Sequence, residues 1–224
     1  MPVFQLSDEI TFPSPRLARK DGLLAIGGDL SEERLITAYS MGIFPWYNEG
    51  SPILWWSPDP RLILIPEEIK VSRSLRKVIN KGIFNVTMDT AFEQVIRNCA
   101  ETPRAGQDGT WITEEMIEAY TGLYRAGYAH SVESWHEGEL VGGLYGIILG
   151  KAFFGESMFS RMTNSSKVAF VHLVELLKEQ GFRLIDCQVK TEHLMSMGAK
   201  EISRRSFMEI LRDSLGKYQY RKSN

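Results

Sequence analysis

The sequence predicts an α+β fold. Three observations carry that assignment. A helical pattern opening at Thr113 is followed by three strand-like runs at 129–135, 140–148 and 151–159, joined by the turn pairs Glu137-Gly138 and Gly150-Lys151. A strong helical pattern at 165–180 separates the third run from a short one at 183–188, which makes a parallel crossover, expected to be right-handed. The first sixty residues are instead rich in proline and glycine, as turn-rich structure is. We therefore expect a small N-terminal α+β domain at 1–62 packed on a larger domain at 63–224.

Taken in order, the N-terminal segment holds one clear helix at 32–41. Ser31 is its N-cap, Glu32 and Glu33 suit its first turn, and Gly42 stands where a helix ends. The runs 43–47 and 53–56 are too interrupted for long strands, so their aromatics are read as packing of a turn-rich cap. Leu62-Ile63-Leu64-Ile65 is a buried strand stopped by Pro66. A basic helix at 72–81, a strand at 84–88 and a helix at 90–100 follow, then a polar loop at 101–109. In the helix capped by Thr113, Met116, Ala119, Tyr120 and Leu123 follow helical spacing. Beyond the last strand lie a short helix at 191–197, closed by Gly198, and an amphipathic helix at 206–215. The polar tail 217–224 is expected to fray.

Composition narrows the function. A chain of 224 residues can bury a full core without staples. Its 26 basic and 28 acidic residues leave a net charge of −2, which excludes a uniformly basic nucleic-acid coat but not a local patch. Two cysteines, Cys99 and Cys187, exclude a disulfide framework and a four-cysteine zinc site. The start of the chain lacks a basic stretch leading into an apolar run, and glycines and Lys151 break the greasiest region at 140–154. We expect a cytoplasmic protein with reduced thiols and no membrane partner.

Two segments carry candidate chemistry. Gly155-Glu156-Ser157-Met158 places a carboxylate among small and apolar residues at a strand end. Ile185-Asp186-Cys187-Gln188 places Asp186 and Gln188 on one face of a strand, with Ile185 and Cys187 on the other. If those strands are neighbours, Glu156, Asp186 and Gln188 converge, and such a set orients an amine nucleophile and accepts its proton. Satisfying local backbone groups accounts for Asp186 and Gln188 equally well. Cys187 with His193 is a weaker nucleophile reading, because alternation sends Cys187 into the core. His130, His136, His172 and His193 have no metal-ligand spacing.

The loop 161–166 joins a strand to a helix start. It resembles the pyrophosphate loop of coenzyme A-dependent N-acetyltransferases, yet Asn164 and Ser166 stand where close backbone approach needs glycine and a small residue. An ordinary N-cap at Asn164 or Ser165 is the simpler reading. Lys70, Arg73, Arg76, Lys77 and Lys81 largely follow helical spacing. A solvated face is the usual meaning of such a run; Trp46, Tyr47, Trp55 and Trp56 nearby add stacking surfaces for bases.

Together the motifs say more. They are Gly-Leu-Leu-Ala-Ile-Gly-Gly-Asp-Leu at 22–30, Gly-Ile-Phe-Pro-Trp-Tyr at 42–47, Pro-Ile-Leu-Trp-Trp-Ser-Pro-Asp-Pro-Arg at 52–61 and Gly-Thr-Trp-Ile at 109–112. Gly-Glu-Ser-Met-Phe-Ser at 155–160, Leu-Ile-Asp-Cys-Gln at 184–188 and His-Leu-Met-Ser-Met-Gly-Ala at 193–199 follow. In this order, over 3–212, the chain resembles bacterial leucyl/phenylalanyl-tRNA–protein transferases. The resemblance implies an acetyltransferase-like (GNAT-type) catalytic domain, a monomer, and neither metal nor coenzyme A. It implies transfer of leucine or phenylalanine, and less well methionine, from aminoacyl-tRNA to proteins beginning with arginine or lysine, marking them for N-degron-dependent degradation.

By motif, the resemblance makes Asp186 and Gln188 the catalytic pair, with Glu156 beside the acceptor amine or its cationic side chain. Leu144, Phe153, Met158, Phe170, Leu173 and Ile185 would form the aminoacyl side-chain pocket. Phe170 and Leu173 exchange ring and aliphatic chain relative to the family pattern, and Leu144 stands where methionine is common. Trp46, Trp111, Tyr39 and Tyr120 would hold the terminal adenosine, and Arg73, Arg76, Lys77 and Lys81 the tRNA backbone. The charge distribution accords with this. Residues 61–81 hold six basic and two acidic groups, whereas 82–188 hold eight and fourteen. Two other classes remain open, a coenzyme A-dependent N-acyltransferase and a non-catalytic tRNA-binding module. The loop at 164–166 argues against the first and the carboxylate–amide set against the second.

Overall fold

The computed structural model describes residues 3–102 and 110–218. Most of the loop expected at 101–109 and most of the tail lie outside them.

The N-terminal segment contains a sheet that its prolines and glycines concealed. β1 (Phe4–Leu6), β2 (Leu23–Gly27), β3 (Phe44–Pro45) and β4 (Leu54–Trp56) associate in the order β1-β2-β4-β3. Strands of two to five residues are too short to show alternation, so only pairing reveals them. α1 (Glu32–Ser40) is capped by Ser31, whose Oγ accepts from the Arg34 N–H. Arg34 is fully buried and donates to the Ser7, Asp8 and Glu9 carbonyls, pinning the start of the chain to this helix. Gly28 passes directly over that guanidinium, with φ +75, and a Cβ there would lie 3.1 Å from Arg34 Nε.

The second sheet has seven strands: β5 (Arg61–Leu64), β6 (Asn85–Met88), β7 (Ala129–His136), β8 (Glu139–Leu149), β9 (Ala152–Ser160), β10 (Leu184–Gln188) and β11 (Lys200–Ile202). Their order is β11-β5-β10-β9-β8-β7-β6. Strands β6 to β9 run antiparallel, and β10 is parallel to β9 across the crossover helix α5 (Ser165–Glu179), as expected. Strand β11 escaped the sequence pattern because it spans three residues. The chain changes sheet between Trp56 and Arg61.

Alternation sorts the core into two layers. Tyr145, Phe154 and Leu184 face one side, with α3 (Phe92–Glu101), α4 (Glu114–Arg125), α7 (Arg204–Leu215) and the N-terminal sheet. Their neighbours Leu144, Phe153 and Ile185 face the other, with α2 (Arg73–Asn80) and α5. One core layer thus includes both sheets. Helix α7 starts before the expected Ser206, because Ser203 caps it. The short α6 (Glu192–Ser196) follows β10. Among the described residues, no helix is long and apolar enough to cross a membrane.

Candidate active site

Two neighbouring strands part company to make the site. β9 and β10 pair only from Ala152 and Leu184 to Phe154 and Asp186. Beyond that point each strand carries one extra residue. In β9 it is Glu156, between Gly155 and Ser157, which face Gly146 and Tyr145. In β10 it is Cys187, between Asp186 and Gln188, which face Ile63 and Leu62. Bulges of this kind bend a strand and re-aim its side chains. The two strand ends line a cavity of about 590 Å³.

Leu144, Phe153, Met158, Phe170 and Ile185 are on the cavity wall. Leu173, expected with them, is not. The wall follows Ser166 and Phe170, spaced i, i+4 on α5, whereas Leu173 is fully buried in the core farther along that helix. Gly146 shapes this wall: a Cβ there would lie 2.3 Å from the Phe154 carbonyl oxygen and 2.4 Å from the Phe153 ring. Only glycine lets the Phe153 ring lie where it does.

The polar end is built around Glu156. Its Oε1 accepts from the Tyr39 hydroxyl and from the Gln188 side-chain amide, each over 2.8 Å, and its Oε2 from the Tyr120 hydroxyl over 3.2 Å. The two tyrosine hydroxyls also bond each other. Burial raises the Glu156 pKa to about 7, against the pull of these three donors, with the Asp186 charge adding to the rise. Burial, followed by the charge of Glu156, also pushes both tyrosines well above their ordinary value, so they stay protonated donors. Tyr39 and Tyr120 are expected beside the adenosine, next to Trp46 and Trp111. Exposed by 1% and 0%, neither presents a face on which adenine could stack. Trp46 and Trp111 do line the cavity.

Gln188 and Asp186 do not share a face, contrary to strand alternation. Gln188 adopts φ +61, which turns its side chain into the cavity with Glu156. Asp186 is fully buried behind it and does not line the cavity. Its Oδ1 accepts from the Gln188 backbone N–H over 3.0 Å and from Arg61 Nε over 2.8 Å, and its Oδ2 from Arg61 Nη2 over 2.6 Å. Arg61 was missed in the sequence. The available signal was a charge opening a fully apolar strand, since a buried charge requires a partner.

Cys187 is on the cavity wall rather than purely in the core, because it shares the side of Ile185. Burial, then the Asp186 charge, raises its thiol pKa, so it is a packing group and not a thiolate. His193 also lines the cavity. Its Nε2 is buried without a hydrogen-bond partner among the described residues, and burial lowers its pKa. Among the described residues, no group of three or more His, Cys, Asp or Glu is placed to hold a metal. Asn164 occupies the N-cap position of α5 in a left-handed conformation but makes no side-chain cap bond. Ser165 Oγ instead bonds the Val141 and Met162 carbonyls. Arg73, Arg76, Lys77 and Lys81 are exposed on and just beyond α2, and none forms an ion pair with a described residue.

Comparison with known proteins converges on one family. The profile described as Leucyl/phenylalanyl-tRNA protein transferase matches residues 63–212, and that of the family's N-terminal domain matches 28–59. A relative named Leucyl/phenylalanyl-tRNA–protein transferase from Syntrophobacter fumaroxidans is 64% identical, covering 96% of this chain and 92% of its own. Relatives of the same name are 58% identical in Desulforapulum autotrophicum, over 97% of this chain and 95% of theirs, and 59% identical in Myxococcus xanthus, over 94% and 91%. With both family profiles matched in order and identity at this level along nearly the whole chain, the protein belongs to the leucyl/phenylalanyl-tRNA–protein transferase family and is an aminoacyltransferase.

Proposed function

We propose that this transferase moves leucine or phenylalanine, and less well methionine, from aminoacyl-tRNA to proteins beginning with arginine or lysine. The product is an N-degron that targets the acceptor for degradation. The enzyme acts as a cytoplasmic monomer and needs no cofactor. One observation carries the reading: an apolar cavity ends on a buried carboxylate–amide pair, Glu156 and Gln188.

The chemistry is aminolysis of an ester. The acceptor α-amine attacks the aminoacyl carbonyl, a peptide bond forms, and the ester C–O bond to the terminal ribose breaks. The amine loses a proton and the ribose oxygen gains one. The ester is already activated, so positioning supplies much of the acceleration. Gln188 commits its amide N–H to Glu156, which leaves its carbonyl oxygen to accept from the α-amine. Glu156 receives the amine or the cationic side chain of the acceptor. Asp186 acts from behind by fixing Gln188, and a ribose hydroxyl of the tRNA helps move the proton.

The aminoacyl side chain fits the wall of Leu144, Phe153, Met158, Phe170 and Ile185, with Leu173 buried in the same core layer. An apolar wall separates donors that differ by one methylene by only about 1–3 kcal/mol, which favours a broad donor range. Trp46 and Trp111 receive the adenosine, and Tyr39 and Tyr120 act through Glu156. Arg73, Arg76, Lys77 and Lys81 meet tRNA phosphates, which carry no sequence information, as suits an enzyme using several tRNAs. The test is incubation with labelled leucyl-tRNA and peptides beginning with arginine, lysine or alanine. Label entering only the first two supports the reading, and equal labelling of all three refutes the acceptor assignment.

A further inference from the structure

We infer that Arg61 is a positioning residue for aminoacyl transfer, acting through Asp186 to set the conformation of Gln188. The inference rests on the role proposed above for Gln188.

A glutamine at φ +61 occupies backbone space that residues with a Cβ seldom adopt, and such a conformation persists only where its surroundings hold it. Here the hold is a chain of contacts. Asp186 Oδ1 accepts the Gln188 backbone N–H over 3.0 Å, so the carboxylate fixes the turn from within the strand. Arg61 fixes the carboxylate in turn with a two-pronged contact of 2.8 and 2.6 Å. Both charges are excluded from water, Arg61 being 1% exposed and Asp186 0%. A planar guanidinium binding a carboxylate through two parallel N–H groups constrains direction as well as distance. Lysine offers a point charge without that geometry.

Arg61 is itself clamped. Its guanidinium carbon lies 4.7 Å from the Phe44 ring centroid and 4.6 Å from that of Phe207. Phe44 belongs to the N-terminal sheet and lines the cavity, whereas Phe207 belongs to α7. Arg61 thereby ties together the N-terminal sheet, the last helix and the bulge of β10. Both oxygens of Asp186 are engaged in this chain, and Asp186 has no place on the cavity wall. The chain ends at the Gln188 amide on Glu156. Its purpose is to deliver that amide in one orientation.

The test is a double-mutant cycle between Arg61→Lys and Gln188→Ala, with kcat and the KM for leucyl-tRNA measured separately and folding followed by thermal melting. Arg61→Lys alone should lower kcat by up to about 10²-fold, the scale of a misplaced reacting geometry, with the KM for leucyl-tRNA unchanged. In the Gln188→Ala background, Arg61→Lys should lower kcat no further, because its route to the reaction is gone. Equal proportional losses in both backgrounds would overturn the inference. Gln188→Ala with full kcat would instead overturn the role of Gln188 itself. If Arg61→Lys does not fold, Arg61→Met with Asp186→Leu removes both buried charges together, an exchange that proteins often tolerate. That pair should fold with low kcat and unchanged KM for leucyl-tRNA, and full kcat would sink the inference.

Discussion

Gln188 and Glu156 are joined by a 2.8 Å hydrogen bond although they lie on different strands, each beside or within a bulge. The carboxylate is buried, and its other partners are two tyrosine hydroxyls. An acid in this setting titrates where most carboxylates do not.

The first prediction concerns pH. Glu156 has a pKa of about 7 when folded, above its ordinary value of 4.5. The folded state therefore holds this proton more tightly than the unfolded chain. Its contribution to stability is full below the unfolded value and is lost as pH rises through about 7, by up to about 3 kcal/mol. Wild-type protein should lose thermal stability between about pH 5 and pH 8 relative to Glu156→Gln. Parallel melting curves for the two across that range would refute the shift.

Cavity shape gives the second. Gly146→Ala puts a methyl group against the Phe153 ring and the Phe154 carbonyl. Overpacking of this kind costs about 1–3 kcal/mol of stability. The ring is pushed toward the cavity, so kcat/KM for phenylalanyl-tRNA should fall more than that for leucyl-tRNA. An unchanged ratio of the two would mean that Phe153 does not bound the donor side chain.

Adenosine binding is tested at Trp111, on the cavity wall. Trp111→Ala should weaken aminoacyl-tRNA binding by about 1–3 kcal/mol, the worth of one stacked base. The loss should appear in KM for the tRNA. If KM stays put while kcat drops, Trp111 has another role.

The exposed charges of α2 and its end predict salt dependence. Binding of aminoacyl-tRNA should weaken steeply as salt rises. Replacing Arg73, Arg76, Lys77 and Lys81 together by glutamine should flatten the log–log slope by about 0.7–0.9 for each phosphate no longer neutralised. A slope identical to wild type would place the tRNA elsewhere.

Most of the larger domain was legible in the sequence, and for local reasons. Helix α4 announces itself by Thr113, as α1 of the N-terminal segment does by Ser31, and both side chains accept the expected capping bonds; Ser72 caps α2 in the same way. The long strands β7 to β9 and the helix α5 carry enough residues to display their periods. The N-terminal sheet and β11 do not. Their strands are held by pairing and by interactions such as those of Arg34 with the Ser7, Asp8 and Glu9 carbonyls, which no local pattern encodes.

The amino-acid order by itself determined the α+β class, the crossover from β9 to β10 and the family motifs that single out Glu156, Asp186 and Gln188. Only the tertiary structure decided how those three are deployed. Alternation placed Asp186 and Gln188 on one face because it assumes an unbroken strand. The left-handed turn at Gln188 breaks that assumption, and what holds it is Asp186 backed by Arg61, whose bond to that carboxylate spans 125 positions of sequence. The same applies to Tyr39 and Tyr120, which meet Glu156 only because α1, α4 and β9 pack around one buried charge. A buried polar group must find partners wherever the fold supplies them, and that choice is made in space rather than along the chain.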